Sequence, residues 1–153
     1  MSSKRKPETP PSGASPSLKR SRSELPDVFM DHAAMMLVID PASGRIVAAN
    51  DAADRYYGWP HERLLEMRIH DINTLSYADV EKEMAQARTG EKVRFEFRHC
   101  RADGSIRDVE VFSSKIAMGM RGELLHSIIH DITDRKEAEE ALQESETKYR
   151  TLF

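Results

Sequence analysis

Three segments, in which successive side chains are expected to alternate between two strand faces, carry the side chains most capable of chemistry. On the first, His99 shares one strand face with two phenylalanines, because residues two apart point the same way. Its imidazole titrates near neutral pH and can donate a hydrogen bond to an anionic ligand. The two later segments each place one serine among apolar residues. The three sets are Phe95, Phe97 and His99; Val109, Val111 and Ser113; and Leu125, Ser127 and Ile129.

Apolar faces that each carry one polar group have the composition that a small-ligand site needs, and the assignment of these faces to a pocket rests on the family resemblance stated below. Apolar burial supplies affinity, and a few polar groups fix the orientation of the ligand. The alternative is a filled core built from the same residues, since sheet faces are apolar for packing alone. His99 has the same two interpretations, a ligand-binding group or a hydrogen-bonded core histidine. In both cases we expect Phe95, Phe97 and Val111 to be buried.

Motifs for catalysis and metal binding are missing from the sequence. It contains neither a Gly-x-x-x-x-Gly-Lys phosphate loop nor a Gly-x-Ser-x-Gly nucleophile elbow. His126 and His130 share a strand face, but no acidic or cysteine cluster completes the donor set that a metal needs. The lone Cys100 excludes an intramolecular disulfide. We therefore expect neither an enzyme nor a metal site.

Turn and capping residues predict the elements that position these side chains. Asn50 and Ser76 are good helix N-caps, and Gly58 and Gly90 can end those helices in the left-handed conformation. The pair Asp103-Gly104 is typical of a tight hairpin turn. The predicted elements are a short helix within 27–36, strands 37–40 and 45–49, helices 51–57, 61–66 and 77–88, and strands 93–100, 106–116 and 124–131.

The N-terminal segment, residues 1–26, differs from the rest in composition. It holds five of the seven prolines and no aromatic residue, so we predict a disordered tail. Its six Lys and Arg residues resemble a nuclear localisation signal or a nucleic-acid-binding arm. A solvated basic tail is the interpretation we adopt, and we do not expect nucleic acid as a partner.

The C-terminal segment, residues 134–153, shows heptad spacing. Its seam predicts a coiled coil, although fewer than three heptads also fit one amphipathic helix packed back on the domain. The seam residues are Ala138, Leu142, Ser145, Tyr149 and Leu152. With 153 residues and a net charge of −3, the chain suits one domain with extensions. It shows neither a membrane span nor a secretory signal, and we expect a cytoplasmic protein.

The order of these motifs resembles the PAS domain family. Its landmarks are a hairpin over residues 39–53, the run Tyr57-Gly58-Trp59, the Asp103-Gly104 turn and the run Asp131-Ile132-Thr133. The resemblance implies an α+β fold in which a five-stranded antiparallel sheet carries short helices on one face and encloses a pocket. It divides the chain into the tail 1–26, the PAS sensor domain 27–133 and a coiled-coil signalling linker 134–153.

The resemblance also assigns roles to residues. The three faces named above become the pocket wall, and Asp131, Thr133, Asp134 and Leu142 become a signal relay, with Thr133 or Asp134 capping the C-terminal helix. In the flavin-binding branch of the family the reactive cysteine lies in the short helices, whereas Cys100 lies on a predicted strand. In haem-binding branches a histidine lies on the helix that is predicted here over 77–88, and this segment contains no histidine. The cofactor is left open.

The expected function is a sensory and dimerisation module of a bacterial signal-transduction protein, of histidine kinase (two-component) or diguanylate cyclase type. It would form a homodimer, sense a small molecule or cofactor and act on an output domain outside this chain. Two alternatives are a PAS protein-interaction module without ligand and a PAS-containing transcription regulator with a basic nucleic-acid-binding tail.

Overall fold

Capping and turn residues divide the chain into short elements in the computed structural model, which describes residues 26–151. The predicted tail up to residue 25 and Leu152 of the heptad seam lie outside the described residues. The elements are α1 (Asp27–Met30), β1 (Met35–Ile39), β2 (Ile46–Ala49), α2 (Asp51–Tyr57), α3 (His61–Leu64), α4 (Ile69–Ile72), α5 (Tyr77–Thr89), β3 (Arg94–Cys100), β4 (Ile106–Ala117), a 3-10 turn (Gly119–Arg121), β5 (Glu123–Asp131) and α6 (Thr133–Thr151), here called the exit helix.

The strands form one antiparallel five-stranded sheet in the order β2-β1-β5-β4-β3. This confirms the predicted fold class. Val111 lies opposite both Phe95 on β3 and Ile129 on β5. Because directly paired residues point to the same side of a sheet, the three predicted faces join into one surface.

Helices α2 to α5 cover this surface. Tyr57, Leu64 and Ile72, one from each short helix, are essentially fully buried against it. Helix α5 contributes a stripe with helical spacing, Val80, Met84 and Ala87, as predicted. The core therefore lies between the sheet and the helical layer.

Asn50 is the predicted N-cap of α2, and it also fixes the start of β1. Its Oδ1 accepts hydrogen bonds from the amides of Ala53 and Met36, each at 3.0 Å. Its Nδ2 donates to the Ala34 carbonyl at 2.7 Å. The short helix predicted within 27–36 is present as Asp27–Met30, and the chain that Asn50 bonds is already extended from Met35. This long-range contact is invisible to local propensity.

The turn between β1 and β2 shows why Gly44 is needed. Its φ is +76°, and a Cβ there would lie 2.3 Å from Cε1 of His70. His70 belongs to α4, a helix that the sequence pattern did not predict, because four residues are too few to show a helical period. Helix α3 is also shorter than predicted and ends at Leu64.

The opposite sheet face is partly covered by α1. Phe29 of α1 packs over Val38, Ala48 and Leu124, and its ring centroid lies 6.1 Å from that of His126. The first helix therefore closes the second face beside strands β1 and β5.

The exit helix leaves the domain directly from the end of β5. Its residues from Glu137 onward are exposed as far as Arg150, and Leu142 is 62% exposed. The helix therefore does not fold back on the domain over its described length, and the packed-back alternative is wrong there.

Candidate functional site

A cavity of about 40 Å³ lies between the sheet and α5. It has room for a few water molecules and is much smaller than the site of a drug-sized ligand. All but one of the predicted wall residues line it; the exception, Val109, is fully buried in the adjoining core. The helical side of the wall, which the sequence did not assign, comprises Ile69, Asn73, Val80, Glu83, Met84 and Ala87, and β1 adds Leu37 and Ile39.

His99 is the most deeply buried polar residue of the wall, with 1% of its surface exposed. Its Nδ1 lies 2.8 Å from the Tyr57 hydroxyl, whereas its Nε2 is buried without a hydrogen-bond partner in residues 26–151. Burial lowers the pKa of His99 to about 3, so the ring is neutral at physiological pH. The expectation that His99 titrates near neutral pH is therefore wrong.

Ser113 and Ser127 face each other across β4 and β5. They are paired in the sheet register, and their hydroxyl oxygens lie 2.8 Å apart. A single hydrogen bond between two hydroxyls uses one of their two protons. The pair therefore presents one further donor at the cavity wall.

The phenylalanines of β3 differ in depth. Phe95 is 3% exposed, whereas Phe97 is only half-buried, contrary to the prediction that both are buried. The reason is that β3 is an edge strand, so the outer side of Phe97 has no neighbouring strand. At the cavity rim, Lys92 lies 4.9 Å from the Phe95 ring centroid and 3.3 Å from the Glu83 carboxylate.

Asp131, at the end of β5, accepts hydrogen bonds from three elements. Its Oδ2 accepts hydrogen bonds from Arg107 Nε at 2.7 Å and the Tyr56 hydroxyl at 2.6 Å, and its Oδ1 accepts from the Thr133 amide at 2.9 Å. Burial opposes ionisation of this carboxyl, but the hydrogen bonds outweigh it and hold the pKa of Asp131 well below its usual range. Asp131 thus joins α2, β4 and the exit helix as a carboxylate.

Neither predicted capping side chain caps the exit helix. Thr133 is buried, and its Oγ1 instead accepts a hydrogen bond from the Asp108 amide of β4 at 2.9 Å. The Asp134 side chain is 95% exposed and lies 4.0 Å from Arg107. The capping prediction is therefore wrong, because the register of β4 and β5 brings Asp108 within reach of Thr133.

The first turn of the exit helix is also held by ion pairs on the outer sheet face. Lys136 Nζ lies 3.5 Å from Glu96, and Arg135 lies 3.8 Å from Glu96 and 3.9 Å from Glu110. Arg94 pairs with the same two glutamates. A cross-strand pair of glutamates, one on β3 and one on β4, therefore holds the start of the helix.

Two adjacent tyrosines of α2 lie between the cavity and Asp131. Tyr57 bonds His99, its ring packs edge-on against Tyr56 at 5.0 Å, and Tyr56 bonds Asp131. Burial, and then the carboxylate beside it, raises the pKa of Tyr56 well above its usual range, so the hydroxyl remains a donor. No sequence pattern singles out Tyr56, since adjacent residues on a helix point in different directions and their partners depend on tertiary packing.

Residues 26–151 contain no group of three or more His, Cys, Asp or Glu side chains that could hold a metal ion. Within the same range no helix has the length and apolar character to cross a membrane.

Comparison with known proteins places this geometry in a family. The family model described as "PAS domain" matches residues 33–134. Diguanylate cyclase DgcM of Escherichia coli K12 is 36% identical over 118 residues, which cover 75% of this chain and 28% of the cyclase. Sporulation kinase E of Bacillus subtilis is 29% identical over 139 residues, which cover 89% of this chain and 18% of the kinase. The chain thus spans less than a third of these relatives.

Solved structures show the same fold. A PAS domain from Desulfitobacterium hafniense superposes with a TM-score of 0.65 at 24% identity, covering 69% of this chain and 99% of that domain. The PAS domain of an HTR-like protein from Haloarcula marismortui gives 0.60 at 24% identity, covering 76% of this chain and 93% of that one.

Proposed function

This chain belongs to the PAS domain family, and we propose that it is a sensory and dimerisation module of a bacterial signal-transduction protein. In this proposal the cavity binds a small molecule, and the exit helix relays binding to an output domain. The observation that carries the proposal is the continuity of β5. Ile129 lines the cavity, and Asp131, two residues later, bonds the first amide of the exit helix.

The relay would work through the contacts of Asp131. A ligand that displaces β5 relative to α2 or β4 also changes the hydrogen bonds from Tyr56 and Arg107. The carboxylate fixes Thr133, so the direction of the exit helix follows it. Ligand binding in the cavity would then shift the equilibrium between two arrangements of the sheet and the exit helix.

Dimerisation would use the exposed seam of the exit helix. Ala138, Leu142 and Ser145 follow heptad spacing and are exposed along a helix whose other positions are largely charged. A second copy of this chain is the partner that such a seam fits, because parallel helices bury matching positions. Rotation at Asp131 would then change how two attached output domains face each other.

The output activity would come from a domain outside this chain. The relatives named above are a diguanylate cyclase and a kinase, so we propose that the module controls one of these two activities in the cytoplasm. The module itself would not be catalytic.

One observation favours a second candidate function. The small size of the cavity fits a PAS module that acts only by protein interaction and spacing, without ligand. The predicted nucleic-acid-binding tail lies outside the described residues, and no contact in residues 26–151 favours the regulator alternative.

Adjacent serines on β4 provide a matched test. Ser113 lines the cavity, whereas Ser114 points to the other face and is exposed. Ser113→Leu should fill the cavity, and Ser114→Leu adds the same side chain outside it. Small molecules are extracted from each protein after gentle purification and identified by mass spectrometry. We expect wild type and Ser114→Leu to retain a compound that Ser113→Leu has lost.

The same proteins separate the two candidates. If none retains a compound, each is mixed with a total metabolite extract, and sensing predicts a rise in melting temperature for wild type and Ser114→Leu only. No retained compound and no selective rise would contradict ligand sensing and favour the interaction module.

A further inference from the structure

Polar groups around the cavity are few, and most of them are already paired. The hydroxyls of Ser113 and Ser127 bond each other, which leaves one donor of the pair at the wall, and the carboxylate of Glu83 lies 3.3 Å from Lys92. His99 differs, because its buried Nε2 has no partner in the described part of the chain. A buried polar atom without a partner costs stability unless a ligand or water satisfies it.

The contact with Tyr57 decides what Nε2 can offer. If Tyr57 donates to Nδ1, the proton of the neutral ring lies on Nε2, and only that N–H lacks a partner. If Nδ1 donates instead, both the tyrosine proton and the Nε2 lone pair lack partners within residues 26–151. The first arrangement leaves fewer unsatisfied groups. Nδ1 and Nε2 flank Cε1 and their outward directions diverge widely, so Nε2–H does not point at Tyr57, and His99 itself lines the cavity.

The charges around the cavity limit what this donor can bind. Glu83 is the only charged residue among the described lining residues, and it is paired with Lys92 at the rim. An anion in the cavity would have no cation against it, and a cation would have to leave water for an almost wholly apolar wall. Both are disfavoured relative to a neutral molecule.

We propose that His99 is the specificity-determining residue of the cavity and that the cavity takes a small uncharged molecule whose carbonyl, ether or ring nitrogen accepts a hydrogen bond from Nε2–H. Tyr57 is then a positioning residue, because it fixes the tautomer of His99 without touching the ligand. This inference rests on the proposed function and names the ligand class of its site.

Nitrogen-15 NMR of the histidine ring tests the tautomer in the unliganded chain. We expect a protonated Nε2 and an unprotonated Nδ1 for His99 at neutral pH. Tyr57→Phe should remove this preference and give a mixture of the two tautomers, whereas loss of packing alone would leave it intact. A protonated Nδ1 in wild type would overturn the proposal.

A pair of probes of nearly equal shape tests the ligand class. Cyclopentanone carries a carbonyl acceptor, and methylenecyclopentane has a carbon in its place. Both are titrated into wild type and into Met84→Ala, which gives the probes more room. We expect cyclopentanone to bind at least about tenfold more tightly, the value of one good hydrogen bond. His99→Phe, alone or with Met84→Ala, should remove this difference while both probes still bind.

The outcomes distinguish this inference from the proposed function. If the two probes bind equally well to wild type and Met84→Ala, the role of His99 is wrong while small-molecule binding stands. If neither probe binds, even to Met84→Ala, both the role of His99 and the small-molecule cavity are overturned.

Discussion

At the scale of single residues, His99 shows how depth changes chemistry. An exposed histidine would be partly charged near neutral pH, but enclosure between Tyr57 and the cavity keeps this one neutral. Because the folded state resists protonation, acid should favour the unfolded chain, whose histidine accepts a proton at about pH 6.5.

The first prediction follows from this difference. The pKa of His99 is lower in the folded than in the unfolded chain, so its contribution to stability is present above about pH 6.5 and declines down to about pH 3. The decline approaches about 1.4 kcal/mol per pH unit. The free energy of unfolding, measured with denaturant, should fall less steeply from pH 7 to pH 4 for His99→Gln than for wild type. His130→Gln, at an exposed position, is the control, and equal steepness in all three proteins would contradict the assignment.

The second prediction uses the unequal burial of two phenylalanines. Phe95→Ala should cost about 3–5 kcal/mol in the free energy of unfolding, because a fully buried ring leaves a cavity. Phe97→Ala should cost less, since Phe97 on the edge strand is only partly buried. Urea unfolding of both variants measures this, and equal losses would mean that Phe97 is covered in solution.

At the scale of elements, the exit helix and the sheet are coupled through specific contacts at one junction. Asp131 receives three hydrogen bonds, Thr133 bonds β4, and Lys136 pairs with Glu96. Beyond this junction the helix has little contact with the domain, so its stability should depend on a partner helix.

The third prediction concerns that partner. Leu142→Asp should weaken dimerisation by placing a charge on the seam, while the domain stays folded because Leu142 lies outside its core. Gln143→Asp adds the same charge beside the seam and serves as the control. Sedimentation equilibrium measures the dimer, and circular dichroism measures the fold. A dimer unaffected by Leu142→Asp, or lost equally in both variants, would contradict the coiled-coil seam.

The limits of sequence reasoning also appear at this scale. Alternation predicted which residues of one strand share a face, such as Phe95 with Phe97, because a strand has a period of two whatever its partners. The resemblance to the PAS family was needed to join the faces of three strands into one wall. The bond between Tyr56 and Asp131 joins residues 75 positions apart and depends on packing that local patterns do not encode. The expectation that Thr133 could cap the exit helix was also based on local sequence. Only the register of β4 and β5 shows that Asp108 lies beside Thr133.

At the scale of the whole molecule, the cavity and the exposed exit helix are the two ends of the coupling that we propose. The cavity wall includes β5, and β5 continues into the exit helix through Asp131. Filling the cavity should therefore change the hydrogen bonding of the first amides of that helix. The two variants of adjacent serines can separate this effect from general destabilisation.

Amide hydrogen exchange at residues 133–136, compared with amides of β2, which does not line the cavity, tests this coupling most directly. Ser113→Leu should wedge β4 from β5 and weaken the bonds that Thr133 makes with Asp131 and Asp108. We expect exchange at these helix amides to accelerate relative to β2 in Ser113→Leu and to stay at the wild-type ratio in Ser114→Leu. The same ratio in all three proteins would show that the state of the cavity does not reach the exit helix.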